Sequence, residues 1–222
     1  MRTLIPLTDS WQFARLPQSV ASPPAEADMA PVSLPHIWNR DDPAAEGCCL
    51  YRTEFDAPPA PCSYLAFDAV CGVARVFLNG VFLGEHRGSY ARFVLEATAA
   101  LRPHNVLEVM ADNHRFADVN PLVGDFTYWG GISRPVSLLQ TGAARFDPAQ
   151  YGAPGLEILQ ASAEGTLRLN ALLAGAEGCT VEYTVTDEAG NMVAGVRRPA
   201  ENPAVTLAVS SPRLWDGLTD PY

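Results

Sequence analysis

Along this chain apolar residues recur in short runs, alternating with polar ones or bunched into compact blocks, and almost nowhere with the 3.6-residue recurrence of an amphipathic helix. Gly, Pro, Asn and Asp punctuate the runs, as they do where strands are joined by turns. The chain therefore reads as all-β. Strands are expected over residues 10–14, 32–34, 50–55, 64–70, 92–95, 106–111 and 132–139, with helix limited to a short turn near 96–101. The Pro/Ala-rich connection 16–31 reads as an irregular wrap over the surface. The clearest local signal is the run from Ala74 to Gly84, in which two apolar strands flank Asn79-Gly80. That dipeptide suits a type I′ turn, where both central residues need positive φ, so a tight hairpin is expected.

About eight or nine strands before residue 140 are enough for a two-sheet sandwich of jelly-roll type. Beyond Gln140-Thr141-Gly142 the texture changes, and five further strands are expected over 156–159, 166–173, 180–186, 192–196 and 205–209. Their spacing suggests an immunoglobulin-like sandwich, for which about seven strands are usual. The division expected is thus a jelly-roll domain over 1–140 and an immunoglobulin-like domain over 141–222. The second domain reads as C-terminally incomplete, because its strand count is short and the last residues, Leu214-Trp215 and Pro221-Tyr222, are apolar and aromatic. An incomplete sandwich has an unpaired edge, which invites dimerisation or strand exchange into a homo-oligomer.

Charge and cysteine content narrow the function classes. The 25 acidic residues outnumber 15 basic ones, every base is an arginine, and the arginines are scattered apart from Arg197-Arg198. A phosphate backbone needs a clustered basic surface, so nucleic acid is not an expected partner. The five cysteines, Cys48, Cys49, Cys62, Cys71 and Cys179, include no Cys-x-x-Cys pair and read as buried free thiols rather than a disulfide framework or zinc site. No stretch reaches the ~20 apolar residues of a membrane span, and the apolar N-terminal stretch is too short for a signal peptide, being broken by Pro6 and Asp9. No membrane association and a cytoplasmic location are the expectation.

The chemistry-bearing segment is Gly124-Asp125-Phe126-Thr127-Tyr128-Trp129-Gly130-Gly131, one carboxylate among aromatics just before a strand. A carboxylate accepts paired hydrogen bonds from vicinal hydroxyls, aromatic faces cover the apolar side of a pyranose, and paired glycines let backbone approach a ligand. The structural alternative is an Asp that closes a loop. Other candidates read as structural. His36, His86, His104 and His114 have no metal-binding spacing, so no metal and no cofactor is expected. Ser89 and Ser133 lack a nucleophile motif. Glu54 and Glu85 read as surface salt-bridge partners, Glu54 beside Arg52. Arg134 is expected to pair with a carboxylate, Trp38 to pack in the core, and Trp129 to lie on the loop surface.

In order, the chain carries Leu34-Pro35-His36-Ile37-Trp38-Asn39, Tyr51-Arg52-Thr53-Glu54-Phe55, the Val76-Phe77-Leu78-Asn79-Gly80 hairpin, Gly84 to Phe93, Asn105-Val106-Leu107-Glu108-Val109, and the Asp125 segment with Arg134-Pro135-Val136. This sequence of landmarks resembles the N-terminal part of glycoside hydrolase family 2, the β-galactosidase, β-glucuronidase and β-mannosidase group. The resemblance implies a sugar-binding jelly roll, an immunoglobulin-like sandwich and then a (β/α)₈ barrel with two catalytic glutamates working by retention. No residue of this chain matches those glutamates, so the chain by itself is expected to be inactive, with a β-glycoside and the barrel of the same polypeptide as its partners. The resemblance carries a substrate-contact role onto Asp125 and a second one onto Asn39, with Tyr128 and Trp129 as stacking candidates. A free-standing carbohydrate-binding module is the competing reading.

Overall fold

In the computed structural model, residues 2–119, 127–150, 152–215, 217 and 218 are described. Contacts divide the chain into two compact units, Met1–Gly142 and Ala143–Tyr222. Among the described residues there is no helix, and the turn at 96–101 closes with Ala100 and Leu101 both donating to the Ala97 carbonyl.

The first unit contains β1 (Arg2–Pro6), β2 (Trp11–Arg15), β3 (Ala30–Val32), β4 (His36–Ile37), β5 (Cys48–Asp56) and β6 (Cys62–Phe67). It continues with β7 (Val73–Leu78), β8 (Val81–Arg87), β9 (Phe93–Glu96), β10 (His104–Asp112), β11 (Gly131–Ile132) and β12 (Val136–Thr141). A six-stranded sheet, β3-β2-β5-β10-β7-β8, and a four-stranded sheet, β1-β12-β6-β9, enclose the core, and the short β4 and β11 pair with each other. Strand alternation decides which residues enter it. From the larger sheet Cys49, Tyr51, Val76, Leu78, Leu107 and Val109 point inward to meet Leu65, Phe67, Val136 and Leu138 from the smaller one.

The opposite face of the larger sheet is also apolar. Cys48, Leu50, Phe77 and Met110 lie there, covered by Leu16, Val20, Ala27 and Met29 of the 16–31 wrap. This explains why β5 and β10 read as nearly continuous apolar runs rather than strict alternations. The expected strand over 132–139 is broken in two at Arg134-Pro135, because proline has no amide hydrogen to continue a ladder. Strand β1 carries a mostly exposed edge and a terminal proline, so its hydrophobic pattern is faint; it pairs antiparallel with β12 from Arg2↔Thr141 to Pro6↔Ser137.

Register gathers several connections at one end. Asp112 at the end of β10 faces Cys48 at the start of β5 and Val73 at the start of β7, and Val73 in turn faces Arg87 at the end of β8. In the other sheet Phe67 faces both Phe93 and Val136. Connections 68–72 and 88–92, the arrival of the chain at β5 and its departure from β10 therefore lie at this end, while 57–61 and 97–103 lie at the other. The far end carries the Asn79-Gly80 turn, with φ of 53° and 80° at its two residues, as a type I′ turn requires.

The second unit contains β13 (Arg145–Phe146), β14 (Leu156–Ala161), β15 (Thr166–Ala171), β16 (Leu173–Ala174), β17 (Thr180–Thr186), β18 (Met192–Pro199) and β19 (Val205–Ala208). They form a sheet β14-β15-β19 and two pairs, β17-β18 and β13-β16, around a small core of Leu169, Ala171, Val181, Tyr183, Val205 and Leu207. Cys179 is exposed in this unit and Cys62 half-buried in the first, whereas Cys48, Cys49 and Cys71 are buried. The cysteines are thus only partly the buried set that small-residue habit suggests.

Candidate functional site

The loop-rich end of the first unit is held together by two buried asparagines. Asn39, 2% exposed, donates from Nδ2 to the Tyr128 carbonyl at 2.7 Å and the Ala45 carbonyl at 3.2 Å, and its Oδ1 accepts from the Gly130 amide at 2.8 Å. Asn113, equally buried, donates to the same Tyr128 carbonyl at 3.0 Å and to Ala45 at 3.2 Å, and accepts from the Gly47 amide at 2.9 Å. Backbone bonds complete the seam: Trp38 donates to the Gly130 carbonyl at 3.1 Å and Cys71 to the Gly131 carbonyl at 2.9 Å.

The glycines are required by how closely this seam packs. A Cβ on Gly130 would fall on the Trp38 indole, and one on Gly131, whose φ is +119°, would meet the His36 carbonyl and the Tyr51 hydroxyl. Tyr51 is fully buried, and its hydroxyl shares a 2.8 Å hydrogen bond with His36 Nδ1. Burial, with the Arg40 cation adding to it, holds His36 below the ordinary histidine range and favours the neutral ring. Burial likewise raises the Tyr51 phenol well above its usual value, so this pair is a neutral strut rather than an acid–base couple.

The aromatic candidates differ in what they leave open. The Arg115 guanidinium lies 4.4 Å from the centre of the Tyr128 ring and donates to Glu46 at 3.0 Å, so one face of Tyr128 is capped. Arg15 lies over Trp38 at 4.2 Å, and Trp38 packs against the main core. Trp129 is partly exposed, and among the described residues no ring or cation stacks on it. Asp125 lies outside the described residues, three positions before the pinned Tyr128 carbonyl.

At the base of the seam Asp112, 5% exposed, accepts from the Ser19 hydroxyl at 2.5 Å, the His114 amide at 3.0 Å and the His114 ring at 2.6 Å. Burial pushes this carboxyl upward, but those bonds outweigh it and leave the group below the ordinary aspartate range. A cavity of about 250 Å³ beside it is lined by Cys48, Val73, Met110 and Phe116 together with Ser19, Arg75, Asp112 and His114. Burial raises the Cys48 thiol to about 11, which leaves it an unreactive wall.

Several pairings differ from their sequence expectation. Arg134 donates to the Tyr90 carbonyl at 3.3 Å, and among the described residues no carboxylate pairs with it. Arg52 pairs with Glu108 directly across the β5–β10 ladder at 2.8 Å, while Glu54 meets His104 at 3.3 Å. Arg52 and Glu54, two apart on β5, share a face, but the directly opposite residue on β10 lies closer than the next one along the same strand, so register sets the partner. Glu85 bridges Arg75 at 2.7 Å and Arg87 at 2.9 Å, as a surface salt-bridge partner should. Asn113 was the residue that sequence pattern did not single out; its one signal is an Asp-Asn-His polar cluster ending an apolar strand.

No protein-family model matches the chain. A β-glucuronidase of Bacteroides fragilis is 31% identical over 97% of this chain and 34% of that enzyme. A β-galactosidase of Bacteroides ovatus is 28% identical over 89% of the chain and 26% of the enzyme. Among solved structures, an FMN-binding β-glucuronidase from Faecalibacterium prausnitzii superposes with a TM-score of 0.84 at 28% identity, over 97% of this chain and 35% of that one. A Bacteroides uniformis β-glucuronidase follows with a TM-score of 0.80 at 27% identity, over 97% of this chain and 29% of that one. The chain spans about a third or less of these relatives, and the matches fall on their N-terminal part.

Proposed function

This chain is a homologue of the N-terminal region of glycoside hydrolase family 2 β-glucuronidases and β-galactosidases, and from that premise we propose that it is the non-catalytic, substrate-holding region of a retaining β-glycosidase. We read the first unit as a jelly-roll sugar-binding domain and the second as an immunoglobulin-like sandwich. The cleaving carboxylates belong to a barrel in the part of the polypeptide for which this chain has no counterpart. The loop-rich end forms the rim of that active site. In this reading Asp125 accepts hydrogen bonds from sugar hydroxyls and Trp129 offers the stacking face, while Asn39 braces the Tyr128 carbonyl beside Trp129.

One observation carries the reading. The Tyr128 carbonyl, just after Asp125 in sequence, is pinned by buried amides from the 33–47 connection and the end of β10, and Trp129 is left partly exposed with no ring or cation of the described residues stacked on it. A sandwich whose loops served only to close it would need neither. Binding energy placed at this rim orients the scissile bond against the barrel's carboxylates.

The test is Asp125→Ala in the full-length protein. Loss of charge-assisted hydrogen bonds is expected to lower kcat/KM on a β-glucuronide or β-galactoside by about 10- to 100-fold with the unfolding midpoint unchanged. An unaltered kcat/KM on both glycosides would end the substrate-contact role. Millimolar-range sugar affinity of the 222-residue chain alone, lost in the same variant, would instead favour a free-standing binding module.

A further inference from the structure

We propose that Asn113 is a positioning residue for this site, the hub through which the sandwich fixes the segment that follows Asp125; the inference rests on the reading of Asp125 as a sugar contact. The Tyr128 carbonyl can accept two hydrogen bonds, and both are supplied by side-chain amides from separate connections, Asn39 at 2.7 Å and Asn113 at 3.0 Å. Its next peptide units are bound elsewhere. The Gly130 amide goes to Asn39, the Gly130 carbonyl to the Trp38 amide, and the Gly131 carbonyl to the Cys71 amide. Tyr128 to Gly131 is thereby tied to three other stretches of chain.

Asn113 differs from Asn39 in where it is mounted. Asn39 sits in a loop, whereas Asn113 follows β10 directly, the strand that pairs along its length with both β5 and β7. Its backbone amide donates to the Gly47 carbonyl at 3.2 Å while its Oδ1 accepts from the Gly47 amide, a reciprocal pair that fixes the side chain's orientation. Asp112, immediately before it, is locked outward to Ser19 and His114. The side chain of Asn113 thus has one rigid mount, and the position it dictates is transmitted through its Nδ2 donor to Tyr128 and Ala45.

Asn113→Asp tests this with the same shape, since it keeps the Oδ1 acceptor and turns an oxygen toward two carbonyl oxygens. Asn113→Ala removes the donor without adding charge, should the first variant fold poorly. In the full-length protein amide exchange at residues 129–131 should rise at least tenfold in either variant, with the β10 core amides unchanged. On a β-glucuronide or β-galactoside, kcat/KM should fall about tenfold for a misplacement of this kind. The same substitution made on an Asp125→Ala background should cost little more. Unchanged exchange, or a kcat/KM loss that is additive with Asp125→Ala, overturns the positioning role alone. If Asp125→Ala itself leaves kcat/KM intact, the sugar-contact reading fails and takes the inference with it.

Discussion

The two ends of the first unit use the same residue for different ends. At the tight end Asn79 and Asn105 bond each other at 3.0 Å; Asn79 Nδ2 donates to Ala100, 21 residues away, and Asn105 Nδ2 donates to Arg102, three residues away, and to Phe55 at 3.4 Å, 50 residues away. At the loop-rich end Asn39 and Asn113 make no bond to each other and meet instead on the Tyr128 and Ala45 carbonyls, with bonds that span 6 to 91 residues. The first arrangement ties short connections together. The second holds long connections in place without shortening them, and ordering long connections costs chain entropy that a purely structural sandwich could avoid with tight turns. That contrast is the physical argument for where function resides.

The comparison can be broken most severely at Gly131. Gly131→Ala puts a Cβ against the His36 carbonyl and Tyr51 hydroxyl at a φ that L side chains avoid, and should destabilise the first unit by about 3 kcal/mol. Urea unfolding followed by tryptophan fluorescence measures it; a cost below about 1 kcal/mol would mean that the loop end is far more yielding than its hydrogen bonds suggest.

A smaller effect is expected at Asp112. Asp112→Asn should cost about 2 kcal/mol at neutral pH, the worth of hydrogen bonds to a buried charge. The sign of the pH dependence follows from its lowered carboxyl. Because the folded form binds its proton less tightly than the unfolded form, whose value is about 3.9, the stabilisation is full above that value and fades as pH falls through the lower folded one. Acid titration of stability in wild type and Asp112→Asn should show this component vanish in the variant. Equal acid sensitivity would assign it to other carboxylates.

The smallest effect belongs to the tight end. Gly80→Ala meets no atom within 4 Å, so only the positive φ opposes it, and about 1 kcal/mol is expected. The variant sharpens the contrast if amide exchange rises at residues 78–81 while residues 128–131 stay protected. A change spreading to the far end would show that the two ends are not independent.

What could be read from sequence follows the same division. The Asn79-Gly80 hairpin was legible because turn chemistry is local, β5 and β10 because their apolar runs are long, and β17 because its apolar and polar residues alternate. Asn39 and the Gly130-Gly131 pair stood out as a group, yet the bracing role of Asn39 depends on a carbonyl 89 residues away. Asn113 was invisible for the same reason, and so was the pairing of Arg52 with Glu108 across 56 residues. Long-range partners are fixed by strand register, which local pattern does not encode. The faint β1 and the two-residue β4 escaped because an edge strand with a proline, or a pair of residues, carries too little periodicity to register, and β11 merges with β12 into one expected strand.

The proposed sugar-binding rim is the loop-rich end of the first unit. A crystal structure of the full-length protein with a non-hydrolysable β-glucuronide or β-galactoside tests it directly. The account predicts the Asp125 carboxylate within hydrogen-bond distance of the pyranose hydroxyls, with the Trp129 ring beside the sugar and the Tyr128 carbonyl still held by Asn39 and Asn113. A bound sugar that touches neither the 33–47 nor the 113–135 connection would contradict it.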